Sequence, residues 1–357
     1  VGTKLDFKPV ISPSLPKTLS SFPGTLLHSV HRQAQKLASK DIVYSRRIVS
    51  ARFQRPMHFQ VPSYKTTKVV LKEMFLITKR FAARVLQACV LVLEDTLLFF
   101  GYRRRKRGLT LNLLTIPELQ AVEKVKIPSA IAGNGKPGLL NALYQPAKPG
   151  MPTVIYSNGR NGSMNKITNF TGMLDQGMGL LLYEYPGFGS TQGKPTEETL
   201  YKALKDVRQF LADQGVPHHE QILYGYSMGG AVSVDSAAKQ APKALILEST
   251  MTSLPEAIQK RLGKRVSQYV PLHRAAISQF RSEEKLKQTN FPLMLLHGNR
   301  DPIMPIEFAE RLFEAAKQSG NREIHILQGG HSINKSLTQP HVERFLKQFS
   351  SEPEPCV

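Results

Sequence analysis

Gly225-Tyr226-Ser227-Met228-Gly229-Gly230 lies between an apolar run, Gln221-Ile222-Leu223-Tyr224, and a stretch of small residues that reads as a helix beginning near Ala231. A strand, a sharp turn and a helix with a serine at the apex form the context in which Gly-x-Ser-x-Gly acts as a nucleophile elbow. Small residues at positions 225 and 229 let the backbone turn tightly enough to expose Ser227. The string alone would carry little weight, so the rest of the chain has to supply partners for the serine.

Two strand ends downstream do so. The apolar run ending at His297 leads into Gly298-Asn299-Arg300-Asp301-Pro302, and the next strand leads into Gln328-Gly329-Gly330-His331-Ser332. The chain order Ser227, Asp301, His331 is that of an α/β-hydrolase triad. In such a triad His331 takes the proton of Ser227 during attack and returns it to the leaving group, while Asp301 holds the imidazole tautomer and stabilises its charged form. His297, which ends a strand, and His218-His219, in a surface loop, are weaker candidates. An anion forming on an acyl carbon needs two N–H donors. One is the amide of Met228, directly after the nucleophile. The other falls in the Gly- and Asn-rich loop Ser157-Asn158-Gly159-Arg160-Asn161-Gly162, at Arg160.

From about Lys126 the chain alternates between strand and helix patterns. Strands are predicted at 127–131, 139–144, 153–156, 179–184, 221–226, 244–248, 292–297 and 323–327, most of them continuous apolar runs. Such runs suit a mainly parallel sheet covered on both faces. Leu200, Leu204, Val207 and Leu211 share one helical face between 197 and 213, with Glu197-Glu198 near its positive start. Phe308, Leu312, Phe313 and Ala316 do the same behind Pro305, read as a first helical position. Residues 251–291 read as a short helical cap. It carries Leu254, Ile258, Leu262, Val266, Val270, Leu272, Ile277 and Phe280 among Lys260, Arg261, Lys264, Arg265, Arg274 and Arg281. An apolar lining with a basic rim favours an acyl chain on an anionic or peptide-like leaving portion; a cap that only packs on the sheet is equally compatible.

Composition sets the frame. A length of 357 residues with 41% hydrophobic content suits one large α/β domain with an extension. Residues 1–107 hold 21 Lys and Arg against 5 Asp and Glu, and residues 108–357 hold 27 against 22, so the net charge of +21 belongs mainly to the front. That front suits an acidic partner such as an anionic membrane surface. It carries no specific nucleic-acid motif. Prolines 9, 13, 16 and 23 make its start partly flexible, and an acid-poor front of this kind also has the look of an organelle transit segment. The chain opens on Val1, which reads as trimmed or fragmentary. An apolar helix is predicted near 81–93, too short to span a membrane, and it is followed by Arg103-Arg104-Arg105-Lys106-Arg107. That helix can pack on the catalytic domain or lie in a membrane plane, a contact that liposome sedimentation would report. Cys89 and Cys356 fit neither a disulfide framework nor a metal site, and no metal or organic cofactor is indicated. The organisation is thus a basic extension over 1–107, a catalytic domain over 108–350 and a tail over 351–357, with a cytoplasmic or peripheral membrane location favoured. The sequence assigns no oligomeric state.

With these residues in place, the chain from about Leu97 to Phe349 resembles the compact α/β-hydrolase serine hydrolases grouped with the Bem-type proteins, the lineage that includes mammalian protein depalmitoylases. Asn158-Gly159-Arg160-Asn161-Gly162 is similar to the family's His-Gly-x-x-Gly loop, and 184–195 to its Asp-Tyr-Arg-Gly-Tyr-Gly-x-Ser-x-Gly-x-Pro segment. The segments 225–230, 245–250, 297–301 and 329–331 complete the set. Asn158 stands where the family usually has His, and Pro186 where it has Arg. The expectation is an α/β-hydrolase fold and a serine hydrolase that cleaves acyl esters or thioesters through an acyl-enzyme on a small-molecule or acylated substrate. Two alternatives stand beside it. One is a non-catalytic protein of the same fold that binds partners through its basic front. The other is an aminopeptidase-like hydrolase, which needs an acidic anchor for a free amine; from sequence, Glu184 and Glu248 are not evidently placed for that.

Overall fold

The computed structural model describes residues 112–351, apart from 134–135, 161 and 263–277. The basic extension, the helix near 81–93, both cysteines, the tail beyond 351 and the middle of the cap lie outside the described residues. All eight predicted strands form. They are β1 (Glu123–Gly133), β2 (Lys136–Gln145), β3 (Thr153–Ser157), β4 (Gly179–Tyr183), β5 (Gln221–Tyr226), β6 (Ala244–Glu248), β7 (Leu293–Gly298) and β8 (Arg322–Leu327), in one sheet of order β1-β2-β4-β3-β5-β6-β7-β8. β1 and β2 are an antiparallel hairpin, and β2 meets β4 antiparallel. Every other neighbouring pair is parallel.

Burial explains why these segments became strands. β3 through β7 are buried at every position, so both faces of the central sheet need apolar side chains and the period-two alternation disappears. β8, at the edge, is only half-buried. The chain runs outward on one side of β3 through β4 and returns on the other side at β5. Reversal of strand order opens a crevice at the carboxyl ends of those strands.

Among the described residues the helices are α1 (Thr171–Asp175), α2 (Glu197–Asp213), α3 (Met228–Lys239), α4 (Leu254–Leu262), α5 (Ser282–Leu286), α6 (Ile306–Ala315) and α7 (Lys335–Lys347). A reciprocal cap starts α2: Thr196 Oγ1 accepts from the Thr199 amide at 3.1 Å, and Thr199 Oγ1 from the Thr196 amide at 2.8 Å. Its buried face holds Leu200, Leu204, Val207 and Leu211 as anticipated, and also Arg208. That guanidinium donates to Gln221 Oε1 (3.0 Å) and to the carbonyls of Gln240 (2.8 Å) and His218 (3.0 Å), while burial pushes its pKa down to about 10. It ties α2 to the start of β5 and the end of α3.

Two helix starts differ from expectation. The helix after the elbow begins at Met228, not near Ala231, because Met228-Gly229-Gly230 already have helical backbone. Pro305 is the residue before α6 rather than its first member, with an extended ψ of 150°. In the cap, Leu254, Ile258 and Phe280 are buried, and the Phe280 ring meets that of Tyr201 on α2 edge-on at 5.7 Å. Lys260 pairs with Glu307 and Arg281 with Glu284 on the surface.

Candidate active site

Ser227 lies between the end of β5 and the start of α3 with φ 54° and ψ −120°, a left-handed conformation that is strained for any residue with a Cβ. Neighbours hold it there: its amide donates to the Glu248 carbonyl at 2.8 Å, and its carbonyl accepts from Thr250 Oγ1 at 2.7 Å. A Cβ at position 229 would come within 2.0 Å of the Ser157 carbonyl oxygen, so only glycine lets α3 approach the end of β3 this closely. The close approach brings the loop after β3 onto the serine.

The three residues singled out from chain order meet in one line. Ser227 Oγ lies 2.9 Å from His331 Nε2, and His331 Nδ1 lies 2.8 Å from Asp301 Oδ2. The Asp301 side chain is fully buried. Its other oxygen accepts the amides of Ile303 (2.8 Å) and Met304 (2.9 Å). Burial alone would raise its pKa, but the hydrogen bond and charge of His331, with those two amides, hold it below the usual carboxylate value. With its carboxylate accepting, Asp301 leaves Nδ1 of His331 as donor and Nε2 as acceptor facing the serine hydroxyl.

Met228 opens α3, so its N–H has no intrahelical acceptor and sits at the positive end of the helix. Arg160 is half-buried in the loop after β3 and follows Gly159, where a Cβ would lie 3.1 Å from that of Ser227. The loop is closed by a 2.8 Å bond from the Gly162 amide to the Gly159 carbonyl. Burial, and then the charge of Arg261 on α4, lower the Arg160 pKa. Met228 thus follows the serine in the chain, and Gly159, the neighbour of Arg160, abuts it in space.

His297 is buried inside β7. Its Nε2 donates to the Met304 carbonyl at 2.8 Å and stays 3.8 Å from Asp301 Oδ2, so it supports the acid's loop. His218 and His219 form a 3₁₀ turn before β5. Glu248 is buried beneath the elbow, where it accepts from Tyr224 (2.5 Å) and Lys335 (2.8 Å).

A family model described as "Serine aminopeptidase, S33" matches residues 150–284. Uncharacterized protein Rv2307c of Mycobacterium tuberculosis is 31% identical over 203 residues, which are 56% of this chain and 70% of that protein. The chain belongs to the α/β-hydrolase superfamily. Human alpha/beta hydrolase domain-containing protein 17B is 28% identical over 203 residues, covering 56% of this chain and 66% of that protein. Two solved structures share the fold: the Pyrococcus furiosus esterase Pf2001 (18% identity, TM-score 0.53, 68% of this chain and 96% of that one) and an α/β hydrolase from Vibrio vulnificus (22%, 0.58, 71% and 91%). The comparisons support hydrolase activity in the general sense, and Ser227 after β5, Asp301 after β7 and His331 after β8 stand on one rim of the sheet.

One group beside the line was not read from sequence. The Tyr226 hydroxyl bonds Ser332 Oγ at 2.8 Å and donates to the His331 carbonyl at 3.2 Å, and its ring lies 5.5 Å from the imidazole. Burial pushes its pKa up to about 12. Lys166 Nζ lies 4.1 Å from the centre of the Tyr226 ring, and burial takes the Lys166 pKa down to about 8. Tyr226 is the first variable residue of Gly-x-Ser-x-Gly. Its partners lie more than a hundred positions away, so no local pattern signals the contact.

Proposed function

We propose that the protein is a serine hydrolase that cleaves acyl ester or thioester bonds through an acyl-enzyme on Ser227. The observation that carries this reading is the unbroken line Ser227 Oγ to His331 Nε2 to Asp301 Oδ2, at 2.9 and 2.8 Å, with the serine held in a left-handed turn. His331 Nε2 takes the Ser227 proton as Oγ bonds to the acyl carbon. The tetrahedral oxyanion is met by the amides of Met228 and Arg160, and collapse expels the leaving group, protonated by His331. Water then repeats the sequence with His331 again as base and frees the acid. The basic extension over 1–107 would bring the catalytic domain to an anionic membrane surface.

A fluorophosphonate probe tests the triad without assuming a substrate. The full chain is expected to label, and Ser227→Ala and His331→Ala to lose labelling. A folded wild-type protein that fails to react would move the non-catalytic reading ahead. The name of the matching family model favours a second reading, an aminopeptidase-like hydrolase acting on substrates with a free amine.

A further inference from the structure

Between the loop after β3 and the loop after β4 lies a small cavity, open on one side, with room for about one water-sized group. Its walls are mostly apolar, from Met164, Tyr183, Tyr185 and Phe188. Two polar side chains, Asn158 and Glu184, complete the part of the lining that bears on its chemistry.

Both present hydrogen-bond acceptors that lack donors. Asn158 is 3% exposed; its Nδ2 reaches the Ser163 carbonyl at 3.5 Å, while its Oδ1 is buried with no hydrogen-bond partner. Glu184 is 7% exposed and uses one oxygen for its own loop. Oε2 accepts from the amides of Ser190 (2.9 Å) and Thr191 (3.1 Å), from Thr191 Oγ1 (3.2 Å) and from Asn141 Nδ2 (3.4 Å). Oε1 receives no hydrogen bond among the described residues. Gly189, at φ +53°, lets the loop wrap this carboxylate, since a Cβ there would lie 1.8 Å from Oε1.

An anionic oxygen and an amide oxygen without donors, set among aromatic rings, form the complement of a compact cation rich in N–H groups. A water molecule could donate to both oxygens but would leave the carboxylate charge unmatched. Asn158 immediately precedes Gly159, the residue that abuts Ser227, so the cavity borders the loop that adjoins the nucleophile. The loop that frames the carbonyl end of the substrate also forms one wall of the cavity, which assigns the bound group to the acyl portion.

We infer that this cavity is an ammonium subsite, in which Glu184 Oε1 and Asn158 Oδ1 accept the N–H groups of a primary ammonium carried by the acyl portion of the substrate. The substrate half of this inference rests on Ser227 being the nucleophile; the binding half does not.

The test therefore has two arms, both on the full chain. In the first, thermal melts compare n-butylammonium chloride, 1-butanol and potassium chloride at matched concentration and ionic strength. Butylammonium is expected to raise Tm by about 2 °C at saturating concentration, with no such shift from the other two and none in Glu184→Gln. Equal shifts with potassium chloride would make this an alkali-cation site, and no amine-specific shift would leave it a water site; either result overturns the inference. In the second arm, methyl esters of amino acids with the amine at successive positions are paired with esters in which CH₃ replaces NH₃⁺, such as methyl alaninate with methyl isobutyrate. After division by each pair's ratio of hydroxide-catalysed hydrolysis rates, at least one pair is expected to favour the amine about tenfold or more in kcat/KM, about 1.4 kcal/mol. A preference for the neutral ester in every pair, with fluorophosphonate labelling intact, would overturn the acyl-side assignment. Loss of labelling would instead count against Ser227 as nucleophile, leaving the melts to decide the subsite. The wild-type pairs and melts need no variant, so a misfolded Glu184→Gln would not blunt the result.

Discussion

The two sides of Ser227 are built differently. On the acid–base side, the groups around the triad are paired with one another: Asp301 accepts from two amides and one imidazole nitrogen, His297 donates to the Met304 carbonyl, and Tyr226 bonds Ser332 Oγ and donates to the His331 carbonyl. On the side of the loop after β3, Asn158 Oδ1 is buried without a hydrogen-bond partner, and Oε1 of Glu184 receives no hydrogen bond among the described residues. Buried polar groups are normally paired, because an orphaned one loses its bonds to water and gains none in return. The acid–base side is therefore assembled by the protein itself, whereas the other side has capacity left for a ligand.

The strongest way to break this contrast is to disturb the assembled side. Asp301→Asn should lower kcat by about 10⁴-fold with little change in KM, because the amide no longer dictates which imidazole nitrogen carries the proton. Steady-state kinetics on the best ester found would check it, and retention of a tenth of wild-type kcat would show that His331 is oriented by other groups. A smaller effect is expected from Tyr226→Phe, which removes the bonds to Ser332 and the His331 carbonyl but leaves the ring in place. The expected outcome is a fall in kcat of about tenfold, equivalent to one good hydrogen bond, with KM and Tm nearly unchanged. A change confined to KM would mean that Tyr226 contacts substrate instead of steadying the base.

The smallest effect is on pH-dependent stability. Burial lowers the pKa of His297 from its ordinary 6.5, so below that value the unfolded chain binds a proton that the folded one refuses. Stability then falls as pH drops. Asp301 is lowered from 3.8, so its contribution is full above that value and is lost only as pH falls through its lower native pKa. Melts between pH 7 and pH 5 should show Tm falling by about 3 °C more in wild type than in His297→Gln. Parallel curves would remove His297 from the acid-sensitive part of this side.

Much of the architecture was legible in one dimension. β3 through β7, buried on both faces, announce themselves as continuous apolar runs, and the helix over Glu197–Asp213 carries its period and its acidic start, whereas its Thr196–Thr199 cap is seen only in the structure. Ser227, Asp301 and His331 were legible because each follows a strand, and parallel strands of one sheet all end on the same rim. Arg208 was not, since a guanidinium on an apolar helical face looks like an error until Gln221 and the carbonyls of Gln240 and His218 are seen around it. The start of α3 was missed by three residues because Gly229 and Gly230 read locally as turn, yet the close packing of Gly229 on Ser157 holds them in the helix.

The sequence by itself thus determined the sheet, the order of the reactive residues and the loops that bear them, all of which depend on hydrophobic period and turn chemistry within a few neighbours. Only the tertiary structure decided which polar atoms are paired. The two oxygens of Glu184 are identical in sequence and differ only because Ser190 and Thr191 fold back onto one of them, and Tyr226 meets Ser332 across 106 positions of chain. Hydrogen-bond satisfaction is a property of atoms brought together by packing, so it has no counterpart in residue order.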